Sequence, residues 1–191
     1  MDITAIIEAL TRALPGEPGG FRAVESRDGM PTLVVDPGSL LAVSRALRDD
    51  PALGFALLAD IVPIDFHPRD PRFEVTYLLA SPGSGGFGDT PKRLRMKVAA
   101  GAEDPRLPSV SSVWAAAGWA EREAFDFYGI RFDGHPDLRR ILMPDDWEGF
   151  PMRKDYPVQI KAPVKTYSPL QVSEEEFVAN IEAARGAGRD A

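Results

Sequence analysis

With 191 residues, 44% of them hydrophobic, the chain is long enough for one domain with a real core plus an appendage, which excludes disorder throughout. A formal net charge of -7 and a pI near 4.9 argue against a nucleic-acid or anionic-lipid surface, because either needs a dominant basic face to displace counterions, and point to a protein partner. The absence of cysteine removes disulfides, thiolate nucleophiles, cysteine-ligated iron-sulfur clusters and cysteine-based zinc sites together, and it fits a reducing compartment.

Residues 1–14 carry Asp2 and Glu8 among apolar residues and lack a basic lead-in to an apolar run, so they predict a first helix rather than a secretory signal. Ile3, Ile6, Ile7, Leu10 and Leu14 fall at helical spacing, and Pro15-Gly16 with Pro18-Gly19-Gly20 end the segment. Residues 21–25 and 32–35 read as strands joined by a turn at Asp28-Gly29, and 39–48 as an amphipathic helix closed by Asp49-Asp50-Pro51. Residues 57–66, 73–79 and 94–98 are rich in β-branched and large apolar side chains and predict three further strands. The Gly-rich stretch 82–88 predicts a hairpin loop, since it lacks the Gly-Lys-Ser/Thr ending of a phosphate-binding loop. The most apolar run, 55–64, is interrupted by Asp60 and Pro63 and falls short of the roughly 18 to 20 residues of a spanning helix, so membrane contact is expected to be indirect. Four to five strands with helices predict an α+β fold around a small mixed or antiparallel sheet.

Residues 109–128 form the longest helical pattern. On an ideal wheel Val110, Val113, Trp114, Ala117, Ala124, Phe125 and Tyr128 make one stripe, with Gly129 at the C′ position. Glu121 falls inside that stripe, whereas Arg122 and Asp126 point elsewhere and Trp119 lies opposite, open to a partner. An acid aimed at the packed side is costly unless paired, so Glu121 is expected to pair with Arg139, Arg140 or Arg153 and tie the helix to the tail that follows.

After Gly129 the chain changes character. Ile130 and Phe132 alternate as one short strand, Gly134 allows a turn, and Pro136, Pro144, Pro151, Pro157, Pro163 and Pro169 recur every six to eight residues. Such a segment can be extended yet defined once its aromatic anchors are seated, here Trp147, Phe150 and Tyr156. The expected division is a body over 1–128 and a docking arm over 129–191, with a short terminal helix starting at the Ser173 to Glu176 capping spacing. Arg139, Arg140, Arg153 and Lys154 are the candidates for charge-assisted bonds to a neighbour.

No chemistry-bearing constellation stands out. His67 and His135 each precede a proline and lack the spacing that puts two metal ligands on one helical face. A cluster of His135, Asp137, Asp145, Asp146 and Glu148 has permissible types for a metal-dependent hydrolase, but nearby arginines answer those carboxylates without an ion. There is no Gly-x-Ser-x-Gly elbow and no Gly-x-Gly-x-x-Gly turn opening a helix.

At these same residues the chain resembles a known family, the C-type (30-kilodalton) subunits of proton-pumping NADH:quinone oxidoreductase, respiratory complex I. The resemblance is carried by Glu121-Arg122-Glu123, Asp126, Phe127-Tyr128 and Phe132, then by His135-Pro136 through Arg139-Arg140 to Leu142. It continues with Trp147, Gly149 and the run Arg153-Lys154-Asp155-Tyr156-Pro157. It covers about forty residues strongly. It implies a cofactor-free structural subunit with no catalytic residues, packed on the large quinone-cavity subunit and near iron-sulfur subunits. FMN and the clusters would belong to other subunits. The implied location is the cytoplasmic face of a bacterial membrane, held peripherally. Some relatives are fused to the quinone-cavity subunit, and this chain is expected to be the unfused form. Related subunits occur in membrane-bound hydrogenases and formate-linked complexes, and the motif alone separates these only weakly.

Overall fold

The computed structural model describes residues 2–16, 19–83, 91–158 and 173–187. Most of the Gly-rich loop, Pro163 and Pro169 of the expected arm, and residues 188–191 lie outside the described residues.

Helix α1 spans Ile3–Ala13 and buries Ile6, Ala9 and Leu10, one face of the predicted spacing. Strands β1 (Phe21–Val24) and β2 (Thr32–Val35) pair antiparallel across a turn in which the Gly29 N–H donates to the Ser26 carbonyl at 3.0 Å. A 3-10 turn over Pro37–Ser39 leads into α2 (Leu40–Asp49), followed by β3 (Leu57–Asp65), β4 (Phe73–Ser81) and β5 (Lys92–Ala100). These strands form one sheet in the order β1-β2-β5-β4-β3, antiparallel except where β2 runs parallel to β5. The architecture is α+β, as the strand and helix count predicts.

The register shift between Leu58 and Asp60 keeps this sheet in phase. Leu58 and Ile61 both face inward, an odd spacing that a regular strand cannot give, and the extra residue restores the alternation. The buried cluster joins Ile6 and Leu10 of α1 and Leu40, Val43 and Leu47 of α2 to Val75, Tyr77 and Leu79 of β4 and Leu94, Met96 and Val98 of β5. Only one phase of each strand takes part, so the helices of this body lie on one face of the sheet.

Strand β6 (Arg106–Pro108), missed by the sequence pattern, pairs parallel with β7 (Arg131–Asp133), burying Leu107 and Phe132. Helix α3 spans Ala117–Tyr128, shorter than the expected 109–128. The lead-in 109–116 is a run of turns, because Ser109 bonds locally to the Ser111 N–H and to Glu121 and draws the backbone away from helical pairing. The helix ends as expected at Gly129, φ +70°, whose N–H returns to the Phe125 carbonyl at 2.8 Å.

The chain divides into two compact units, Met1–Pro157 and Val158–Ala191. The first runs past the boundary expected after Tyr128, because residues 129–157 fold back onto the body. In the second, α4 (Glu174–Ala187) starts with three glutamates at its positive dipole end and a Glu176 N–H bond to the Ser173 hydroxyl at 3.2 Å.

Candidate functional site

Helix α3 carries two carboxylates at 0% exposure, Glu121 and Asp126. Glu121 lies in the packed stripe, but none of the three expected arginines meets it. Its Oε2 accepts from the Ser109 hydroxyl at 2.6 Å and its Oε1 from the Val110 N–H at 2.7 Å. The lead-in to α3 passes over the Glu121 side chain, while Arg139, Arg140 and Arg153 bind Asp137, Asp126 and the Tyr128 carbonyl. Burial pushes the Glu121 carboxyl up against the lowering pull of Ser109, Val110 and nearby His135. Glu121 thus ties the helix to the segment before it.

Asp126 ties it to the segment after. The wheel turns Asp126 away from the stripe, yet residues 138–143 fold over that side and bury it. Its Oδ1 accepts from Arg140 Nη1 at 2.8 Å, and its Oδ2 from the N–H groups of Ile141, Leu142 and Met143 at 3.0, 2.7 and 2.8 Å. Burial raises this carboxyl, but the Met143 N–H and the Arg140 guanidinium with the other two amides outweigh it and hold it below the usual carboxylate range. Arg140 also donates to the carbonyls of Asp126, Trp147 and Gly149, so its guanidinium is committed within the chain. Arg122 donates to the Arg139 and Arg140 carbonyls at 3.1 and 2.9 Å while its guanidinium lies 5.2 Å from the Trp119 ring centre. Glu123 is exposed.

A second clamp holds the Arg153-Lys154-Asp155 run. Arg72, at the start of β4, forks onto Asp65 at 2.9 and 2.7 Å and onto Asp155 at 2.9 and 2.6 Å, bridging the end of β3 to the distal loop. Asp65 also accepts from the Lys154 and His67 N–H groups, each at 2.8 Å. Burial raises the Asp65 carboxyl, but Arg72 and those two amides overcome it and hold the group well below the ordinary range. Sequence reasoning missed Asp65 and Arg72. The signal was there for Asp65, which falls in the inward phase of β3 after Ile61 and therefore needs a cation.

Between the clamps, Phe150 seats on the end of α3. A Cβ at Gly129 would lie 2.4 Å from its ring, Phe125 meets it edge-on at 6.2 Å, and Arg140 and Arg153 lie 5.5 and 4.7 Å from its centre. Arg153 Nε donates to the Tyr128 carbonyl at 2.6 Å, capping the helix end, and the Met152 N–H reaches the Phe127 carbonyl at 3.1 Å. The Tyr156 hydroxyl donates to the Glu148 carbonyl at 3.2 Å and its ring packs on Gly149. The aromatics expected to anchor on a neighbour are therefore largely used inside the chain: Phe150 and Tyr156 are seated, and Trp147 is half-buried, its ring N–H without a partner among the described residues.

His135 pins the loop's start. The Asp137 N–H donates to Nδ1 at 3.0 Å, so Nε2 carries the proton and donates it to the Gly118 carbonyl at 2.9 Å. Both ring nitrogens are engaged, and among the described residues no three of His135, Asp137, Asp145, Asp146 and Glu148 converge into a metal-binding group. Beside Pro136 and Pro157, the rigid segment leaves Trp119 (65%), Leu142 (61%) and Met152 (54%) exposed, flanked by exposed Arg139 and Lys154. What it can do is present apolar and cationic groups at fixed positions, which suits docking.

Residues 33–162 match the family model of the respiratory-chain NADH dehydrogenase 30 Kd subunit. The chain belongs to this family. It is 42% identical over 150 residues to a C-type NADH-quinone oxidoreductase subunit of Rhizobium meliloti (strain 1021), covering 78% of this chain and 79% of that one. It is 42% identical over 158 residues to the C-type NADH-quinone oxidoreductase subunit of Roseiflexus sp. (strain RS-1), covering 83% and 86%. Among solved structures, a trypsin-resistant fragment (1-134) of Nqo5 is similar at TM-score 0.56 and 33% identity, over 72% of this chain and 100% of the fragment. A chain of an archaeal membrane-bound sulfane sulfur reductase shares the fold at TM-score 0.63 and 20% identity, over 81% and 85%. The 30 Kd family match includes both clamps.

Proposed function

We propose that this 30 Kd-family chain is a structural subunit of the peripheral arm of NADH:quinone oxidoreductase, holding electron-carrying subunits in register without ligating a redox group itself. The observation that carries the reading is the segment 134–157, fixed onto its own body by the Arg140–Asp126 and Arg72–Asp155 ion pairs and presenting Leu142 and Met152 outward beside Trp119 of α3. Rigidity established before assembly lowers the ordering cost of association, so a surface built this way is suited to permanent docking. Exposed large apolar side chains at fixed positions match the anchors of such interfaces.

As family membership implies, its partners are other subunits of that dehydrogenase. The finer reading places it against the large quinone-cavity subunit and neighbouring iron-sulfur subunits, on the cytoplasmic side of a bacterial membrane. No described helix is long and apolar enough to cross a membrane, which is consistent with a peripheral position. With no cysteine, it offers no thiolate for an iron-sulfur cluster, so cysteine-ligated clusters fall to its partners, and on this reading the FMN does too.

Mass spectrometry of the subunits retained by a tagged full-length chain in a mild-detergent membrane extract tests this. Flavin-side and quinone-side dehydrogenase subunits recovered together support it. A nickel-iron large subunit in their place assigns the chain to a hydrogenase-type relative instead.

A further inference from the structure

The face of the five-stranded sheet turned away from α1, α2 and α3 is not explained by the clamped segment. The register places Leu57, Asp60, Val62 and Ile64 of β3 on it, beside Ala80, Leu78, Thr76 and Glu74 of β4. Arg93, Arg95 and Lys97 of β5 follow on the other side of β4. Leu57 is 53% exposed, and Val62 and Ile64 38% each. The open face thus has apolar side chains at Leu57, Val62, Ile64 and Leu78, interrupted by the exposed Asp60, beside a column of three cations, on a chain whose net charge is -7. Asp28 and Glu74 order Arg95 and Lys97 through ion pairs of 2.6 and 2.8 Å. Arg22, in register with Val34 beside Lys97, and Arg93 are exposed and form no ion pair among the described residues.

The neighbouring edge is poorly suited to an added strand. Outward-pointing N–H groups of β3 fall at 61, 63 and 65, because the Phe66 N–H turns inward to Arg72. The Ile61 N–H is taken by Asp60 Oδ1 at 2.8 Å, Pro63 has none, and the register shift before Asp60 breaks the ladder. The face, rather than the edge, is therefore the surface that suits an occupant. From β3 to β5 is two strand spacings, about 10 Å, the diameter of one helix. Nine-residue strands span about 30 Å, the length of a helix of about 20 residues.

We infer that this open sheet face is a second docking surface, occupied by an amphipathic helix of a neighbouring subunit. The apolar stripe of that helix lies on Leu57, Val62, Ile64 and Leu78, and its acidic flank faces Arg22, Arg93, Arg95 and Lys97. The inference rests on the reading that the chain works inside a multi-subunit assembly.

The absence of cysteine makes a clean test, since Val62→Cys carries the only thiol in the chain, with Glu8→Cys on α1 as the labelling control. Maleimide labelling of Val62→Cys slows about tenfold between the isolated chain and the assembled membrane complex if a neighbour covers the face. The double variant Arg22→Glu, Arg93→Glu, with an unchanged melting midpoint in isolation, is retained in the complex about tenfold less. Equal labelling of Val62→Cys in the free chain and the intact complex overturns the inference alone. So does protection that grows with the concentration of the isolated chain, which means a second copy covers the face. A wild-type chain that retains no other subunit overturns the functional reading, and this inference with it.

Discussion

Glu121 and Asp126 stand five positions apart on one helix, equally buried, and their partners set them to opposite tasks. Asp126 faces a guanidinium and three amides, so Asp126→Asn removes the charge that Arg140, 15% exposed, was buried against. Breaking such a pair costs about 3–5 kcal/mol, a large part of the 5–15 kcal/mol typical of a whole domain, and a urea midpoint will show it. Glu121 meets only neutral donors, and its folded-state pKa lies above the ordinary value of 4.5. In the window above 4.5 the folded state therefore binds more protons than the unfolded chain, and stability falls as pH rises. Asp65 and Asp126 act the other way: depressed in the folded state, they stabilise above their unfolded value of 3.8 and lose that contribution as pH falls below it. Urea midpoints taken from pH 4.5 to pH 7 are expected to decline for the wild type and to flatten in Glu121→Gln.

The elements divide into those that local pattern could place and those that needed a long-range partner. Strands β2 to β5 and helices α1 and α2 follow alternation and helical spacing, with ends within a few residues of expectation. Strand β6 is three residues long and exists because β7 pairs with it, so no local signal announces it. The same logic explains the signature segment. Its residues were legible as special, but the direction of their contacts was not, because Arg72 and Asp65 lie more than eighty residues before the Lys154 and Asp155 they hold. Read without those partners, the arginines and aromatics looked free for a neighbour. The clamp has a local consequence. Arg72→Lys loses both forks, leaving Asp65 buried with one point charge, so hydrogen exchange at the Lys154 and Met152 amides will quicken while the paired amides of β4 and β5 stay protected.

Taken whole, the first unit is a two-layer body whose helical side is finished by residues 129–157. Without them, Asp126, Asp65 and Arg72 lose partners and the α3 end loses Phe150. A chain cut after Pro157 is therefore expected to unfold cooperatively at the full chain's midpoint, and one cut after Tyr128 to lose that transition, as circular dichroism in urea will record.

At the centre stands the claim that this chain positions others and handles no electrons. Arg72→Lys combined with Asp155→Asn, expressed in place of the native chain, separates assembly from turnover when complex abundance and NADH:quinone activity are measured on the same membranes. A positioning role predicts several-fold less assembled complex, with turnover per assembled complex unchanged; wild-type abundance with turnover abolished would contradict it.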